Sequence, residues 1–288
     1  LPIFSVIVLG GIALLYCRIT KRRFNKVMVI KKISSKQVFL TMLVALGTYI
    51  FAVGINSISM KLFPVTIKDS MVITKLLSNS STLLGLVIVV FVPEFFEEVF
   101  FRGIFLDAYE GVNKKLKFFI ITVIFASFHG NVMQIIYVMF LGIILLKVRE
   151  YTGSLVGSMT LHAANNAISF ILSKVVMIVS AMIGKGVIDQ AKQADVTNVS
   201  FTVVMLRASI PLLIGGAILF INLRNLKEYK EERENLELIE KEESIEEKYI
   251  VKTERTTYVD KKQYAPLAIY FVVITIIVIS KYYDIFKK

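Results

Sequence analysis

Eight apolar stretches, at roughly 1–17, 38–58, 80–106, 117–131, 132–146, 154–183, 201–222 and 264–284, set the limits within which this 288-residue chain can fold. A helix needs about 18–20 predominantly apolar residues to cross the hydrocarbon of a bilayer, and several of these runs reach that length. The pattern predicts an all-α, polytopic membrane helix bundle of about eight transmembrane helices, with residues 1–288 forming a single integral membrane domain. Composition agrees, since 56% of the residues are hydrophobic and the mean hydropathy is +0.69, too apolar for an ordinary soluble domain. The runs at 117–131 and 132–146 are divided only by a Gly130-Asn131 turn signal, so either suits a short or re-entrant segment. Leu1–Cys17 carries its positive charge behind it, at Arg18, Lys21, Arg22 and Arg23, which fits a spanning helix rather than a cleaved signal peptide.

A net charge of +12 would suit a nucleic-acid binder, but the basic residues sit beside apolar runs, where they set topology and meet anionic lipid headgroups. No nucleic-acid partner is expected; the lipid bilayer is. Of the 34 lysines and arginines, 23 fall in the 18–37, 107–117, 147–153 and 223–263 loops, which are therefore placed on the cytoplasmic side. The opposite loops hold only Lys61, Lys68, Lys75, Lys185 and Lys192, which puts both termini outside. Basic loops of this kind favour a bacterial cell membrane. Residues 224–262, with 12 acidic and 10 basic side chains, read as a charged cytoplasmic linker helix laced by i,i+4 pairs. Cys17 is the sole cysteine, so no internal disulfide or cysteine-rich metal cage exists.

Ionisable side chains cost about 2.5 kcal/mol or more each at the centre of a membrane helix, so their presence there points to function. The third run ends in Pro93-Glu94-Phe95-Phe96-Glu97-Glu98-Val99-Phe100-Phe101-Arg102, with three carboxylates and a guanidinium in an aromatic setting. Both histidines of the chain also lie in apolar runs, in Phe125-Ala126-Ser127-Phe128-His129 and His162-Ala163-Ala164-Asn165-Asn166. Counted from the proposed cytoplasmic ends at Leu106, Lys117 and Ser154, Glu97, His129 and His162 each lie ~12–18 Å deep, at ~1.5 Å per residue. Asn166 sits one turn beyond His162 on the same face. Glu98 and Arg102 are i,i+4 with the acid first, an arrangement suited to a charge pair, whereas Glu97 projects about 100° away around the helix toward a different neighbour. A carboxylate beside a histidine in a low-dielectric pocket is suited to general-base work.

These residues resemble the motifs of the CAAX-protease and bacteriocin-processing (CPBP, or Abi) family of intramembrane endopeptidases. Glu97-Glu98-Val99-Phe100-Phe101-Arg102 looks like EExxxR, Phe125 to His129 like FxxxH, and His162 to Asn166 like HxxxN/B, in that order on separate helices within 80–170. The resemblance implies hydrolysis of peptide bonds in membrane-associated peptide or protein substrates, within a cavity open to the cytoplasm. It assigns Glu97 and His129 to activating a water, His162 and Asn166 to the oxyanion, and Glu98 and Arg102 to supporting the site. No cofactor is expected. One Glu and two His are also the ligand set of a hydrolytic zinc site, so Glu97, His129 and His162 around one zinc ion is the alternative. Against it stand the absence of a His-Glu-x-x-His helix and an Asn166 amide that suits an oxyanion better than a metal. Two other functions compete: a non-catalytic bacteriocin-immunity or regulatory scaffold, and a transporter, for which Lys174 and Arg207 in later runs are the best support.

Overall fold

The computed structural model describes residues 5–63, 81–130, 132–183 and 199–245, and every regular element among them is helical. Helix α1 (Gly10–Thr20), entered through a π-helical turn over Ser5–Leu9, stops where Lys21 turns left-handed with φ 56°. A short α2 (Phe24–Met28) leads to α3 (Ser35–Leu62), whose start is a capping box: the Gln37 amide N–H donates to Ser34 Oγ at 3.2 Å and Gln37 Oε1 accepts the Ser34 N–H at 3.0 Å. Helix α4 runs through Thr82–Gly85, a π-helical stretch at Leu86–Phe91, an α-helical part at Val92–Glu98, a second π-helical stretch at Val99–Phe105 and a last turn at Leu106–Ala108. Pro93 has no N–H to return to the preceding turn, and it sits just past the first of the two loosened stretches. Helices α5 (Lys114–Phe128, capped by the Asn113 side chain), α6 (Val132–Thr152), α7 (Leu155–Ile183) and α8 (Phe201–Ile245) complete the described chain.

Three of these helices, over Ser35–Leu62, Leu155–Val179 and Phe201–Leu238, are long and apolar enough to cross a membrane; Val6–Thr20 is apolar but shorter. Eight long apolar helices are thus not what the described residues contain. The run at 80–106 is divided among α-helical and π-helical parts, 117–131 becomes a helix ending at Phe128, and 264–284 lies outside the described residues. The break expected at the Gly130-Asn131 turn signal is present at Gly130, which takes a positive φ of 55°. The seventh run does not stop at 222 either, because α8 continues as one helix through the charged segment to Ile245. Along that extension Arg224–Glu228, Lys227–Glu231, Lys230–Glu234 and Arg233–Glu237 form i,i+4 pairs at 2.7–3.5 Å. Lys174 lies over the Phe170 ring, 5.5 Å from its centroid, and Arg207 is an exposed side chain of α8.

Surface and interior are inverted relative to a soluble protein. Met182 is 80% exposed and Leu213 73%, while Glu98 and Arg102 are 0% exposed. Apolar groups facing outward over whole helices are what lipid contact requires. The four basic loops meet at one end of the bundle. Arg22 pairs with Asp107 at 2.6 Å, Lys114 with Glu150 at 2.5 Å, Ser154 donates to the Lys31 carbonyl at 2.6 Å, and Lys36 lies over the Tyr229 ring at 4.5 Å. The side assignment by charge thus groups loops that touch in space.

Helices α3 and α8 pack through small residues. A Cβ on Gly215 would fall 2.8 Å from both the Gly47 carbonyl oxygen and Phe51 Cα, and one on Gly54 would fall 2.9 Å from the Ala208 carbonyl oxygen. Backbone cannot yield as a flexible side chain can, and close backbone approach is how membrane helices associate without a hydrophobic driving force. Gly215→Val should therefore lower the melting temperature in detergent by forcing the two helices apart, an overpacking cost of about 1–3 kcal/mol. Unchanged melting would show that the two helices do not approach this closely.

Candidate active site

The site is built outward from the second π-helical stretch of α4, where all seven residues from Val99 to Phe105 are buried. A helix buried on every side must satisfy any charge it carries internally. Arg102 does so three ways: Nη1 donates to Glu98 Oε1 at 2.8 Å, Nη2 donates to the Gly142 carbonyl at 3.3 Å, and the guanidinium carbon lies 4.2 Å from the centroid of the Phe125 ring. Gly142 permits this approach of α6, since a Cβ there would meet Phe125 Cδ1 and Thr122 Cγ2 at 3.2 Å.

Phe125 is the hub of the arrangement. Its fully buried ring meets Phe101, His129 and His162 edge to face, with centroids 5.1, 4.9 and 5.8 Å away. The four-residue spacing from Phe125 to His129 puts both rings on one face of α5, so the aromatic side chain sets where the imidazole stands.

Helix α7 runs antiparallel to α4 and the two are joined by two polar rungs. His162 Nδ1 donates to Glu98 Oε1 at 2.9 Å, so this oxygen accepts from both His162 and Arg102. One turn away Asn166 Nδ2 donates to Glu94 Oε1. A step of four residues back along α4, from Glu98 to Glu94, matches a step of four forward along α7, from His162 to Asn166, as antiparallel neighbours require. Asn165, beside the second rung, donates from Nδ2 to the Tyr137 hydroxyl oxygen at 2.5 Å and to Asn166 Oδ1 at 3.3 Å.

His129 closes α5 as its cap, with Nδ1 3.0 Å from the Phe125 carbonyl oxygen. A carbonyl only accepts, so Nδ1 carries the proton and the neutral ring offers the Nε2 lone pair. Glu97 makes no hydrogen bond or ion pair among the described residues, yet it lies within electrostatic reach of both His129 and His162. Burial divides the cluster in two. Glu94, Glu98, Arg102 and His162 are buried, whereas Glu97, His129 and Asn166 are half-buried.

Glu97, Glu98, Arg102, His129, His162 and Asn166 are thus gathered in one region between α4, α5 and α7, with Glu98 and Arg102 paired. Glu94 belongs with them, a residue the motif spacing alone does not single out. Its signal was the mirrored four-residue step that it and Glu98 share with His162 and Asn166. Among the described residues no group of three or more His, Cys, Asp or Glu side chains is spaced to hold a metal ion.

Residues 79–168 match the family model described as type II CAAX prenyl endopeptidase Rce1-like. Over that stretch the chain is similar to the CAAX-protease family. The match begins just before α4 and ends two residues past Asn166, so the whole polar cluster lies inside it, while α1, α2, α3 and α8 lie outside. No curated protein and no solved structure matches the chain. That similarity supports a membrane protease of CAAX-protease type in general terms.

Proposed function

We propose that the chain is an intramembrane endopeptidase of multi-pass topology in a bacterial cell membrane, hydrolysing peptide bonds of membrane-associated peptides or proteins that enter from the cytoplasmic side. The observation that carries this reading is the division of the cluster: Glu97, His129 and Asn166 are half-buried, while Glu94, Glu98, Arg102 and His162, which pair with one another or with Asn166, are buried beside them. Glu97, whose carboxylate has no hydrogen-bond partner among the described residues, takes a proton from a water that the His129 Nε2 lone pair orients. The hydroxide oxygen bonds to the scissile carbonyl carbon, and the carbonyl oxygen becomes an oxyanion. Asn166 donates to it from its amide. His162, whose Nδ1–H is held by Glu98, donates from Nε2 when protonated on both nitrogens. The carbon–nitrogen bond then breaks, and the proton on Glu97 passes to the leaving amine.

The reading needs no cofactor, and a zinc ion is the outcome that a chelator would reveal. The test is cleavage of a panel of membrane-tethered peptides by detergent-purified protein, with and without a strong zinc chelator, alongside Asn166→Ala. Chelator-resistant cleavage by wild type is expected, with kcat lowered about 10²–10³-fold in Asn166→Ala, the usual cost of one oxyanion donor. Chelator-sensitive cleavage would move Glu97, His129 and His162 into a metal shell. A folded wild type inert toward every peptide would overturn the protease reading in favour of an immunity or scaffold role.

A further inference from the structure

Glu94 is 2% exposed, a carboxylate in an apolar helix of a membrane protein, and no part of the hydrolysis above uses it. Isolating such a group from water is costly unless something near it needs a carboxylate. Its Oε1 accepts from Asn166 Nδ2, and its buried Oε2 has no hydrogen-bond partner among the described residues. Among the described residues, the side chain that donates a hydrogen bond to this costly group is the one that would donate to the oxyanion. We propose that Glu94 is a positioning residue for Asn166: it fixes which end of the amide, and which N–H, points at the reacting carbonyl.

The chemistry of the amide carries the inference, which rests on the protease reading. An asparagine side chain can rotate by half a turn and exchange its oxygen for its nitrogen at little steric cost. With the oxygen forward it would repel an oxyanion. The Glu94 oxygen accepts from the nitrogen end of the Asn166 amide. On the other side Asn165 Nδ2 donates to Asn166 Oδ1 at 3.3 Å, and Asn165 is itself anchored on the Tyr137 hydroxyl at 2.5 Å. With one N–H on Glu94 and the oxygen on Asn165, the direction of the second N–H is determined before substrate arrives. Preorganisation of that kind affects the transition state more than substrate binding.

The experiment compares kcat and KM for Glu94→Ala and Glu94→Gln with wild type and Glu97→Gln, and adds thermal unfolding of Glu94→Ala, Asn166→Ala and the double variant. Glu94→Ala should lose about 10–100-fold in kcat with KM within about threefold, as for a misplaced catalytic group. Glu94→Gln should recover most of that loss, because its carbonyl oxygen still accepts from Asn166. A merely structural contact would lower the melting temperature and leave kcat alone. The proposal is overturned by wild-type kcat in Glu94→Ala, or by Glu94→Gln being as inert as Glu97→Gln, which would put the Glu94 charge into the chemistry itself. Additive melting shifts in the double variant would also overturn it, since contacting partners couple. An inert wild type would sink the protease reading and the positioning role with it, while the melting cycle would still report whether the two side chains meet.

Discussion

Glu97→Gln should abolish peptide cleavage and leave the folded protein unaltered. Replacing a general base typically costs about 10²–10⁴-fold in kcat, because the glutamine amide cannot take the proton of water. The second half of the expectation follows from the surroundings: Glu97 holds no hydrogen bond or ion pair among the described residues, so no partner is orphaned when its charge is removed. Its electrostatic reach to His129 and His162 makes it the carboxylate best placed to serve a water beside either ring. Cleavage and thermal unfolding on the same preparation check both halves. Near wild-type kcat would remove Glu97 from the chemistry, and a large fall in melting temperature would show that it holds structure as well.

The distinction between neighbouring carboxylates was partly legible in the sequence. The i,i+4 spacing and acid-first order of Glu98 and Arg102 foretold their pair, and the ~100° offset of Glu97 foretold a different neighbourhood, because both follow from helix geometry alone. What the sequence did not yield was which groups touch across helices. The Glu94–Asn166 and Glu98–His162 rungs depend on the relative rotation of α4 and α7, and the two π-helical stretches change the angle per residue along α4. The Gly142 carbonyl as a partner of Arg102 was hidden for another reason. Backbone acceptors carry no residue signature, and only the close approach of α6 makes this one available. Hydropathy marked the apolar runs but not how each is divided into helices: Lys114–Phe128 and Val132–Thr152 are separated at a glycine, and α4 alternates α-helical and π-helical parts.

The largest expected effect on stability lies one residue from Glu97. Glu98→Ala removes the acceptor of both Arg102 Nη1 and His162 Nδ1 from a site with 0% side-chain exposure at Glu98 and Arg102. Arg102 would keep the Gly142 carbonyl and the Phe125 face but would lose its counter-charge, and breaking a buried pair by deleting one partner costs about 3–5 kcal/mol. Glu98→Ala should therefore melt far below wild type and cleave nothing. Arg102→Met should be milder, because Glu98 retains His162 as a donor. Glu98→Gln with Arg102→Met should regain much of the stability lost in Glu98→Ala, since no uncompensated charge remains at that level of the bundle. Activity should stay low in the double variant, because a glutamine oxygen supports a doubly protonated His162 less well than a carboxylate does. A double variant that is both stable and fully active would show that Glu98 serves the fold alone; one no more stable than Glu98→Ala would show that the hydrogen bonds of the pair matter more than its charges.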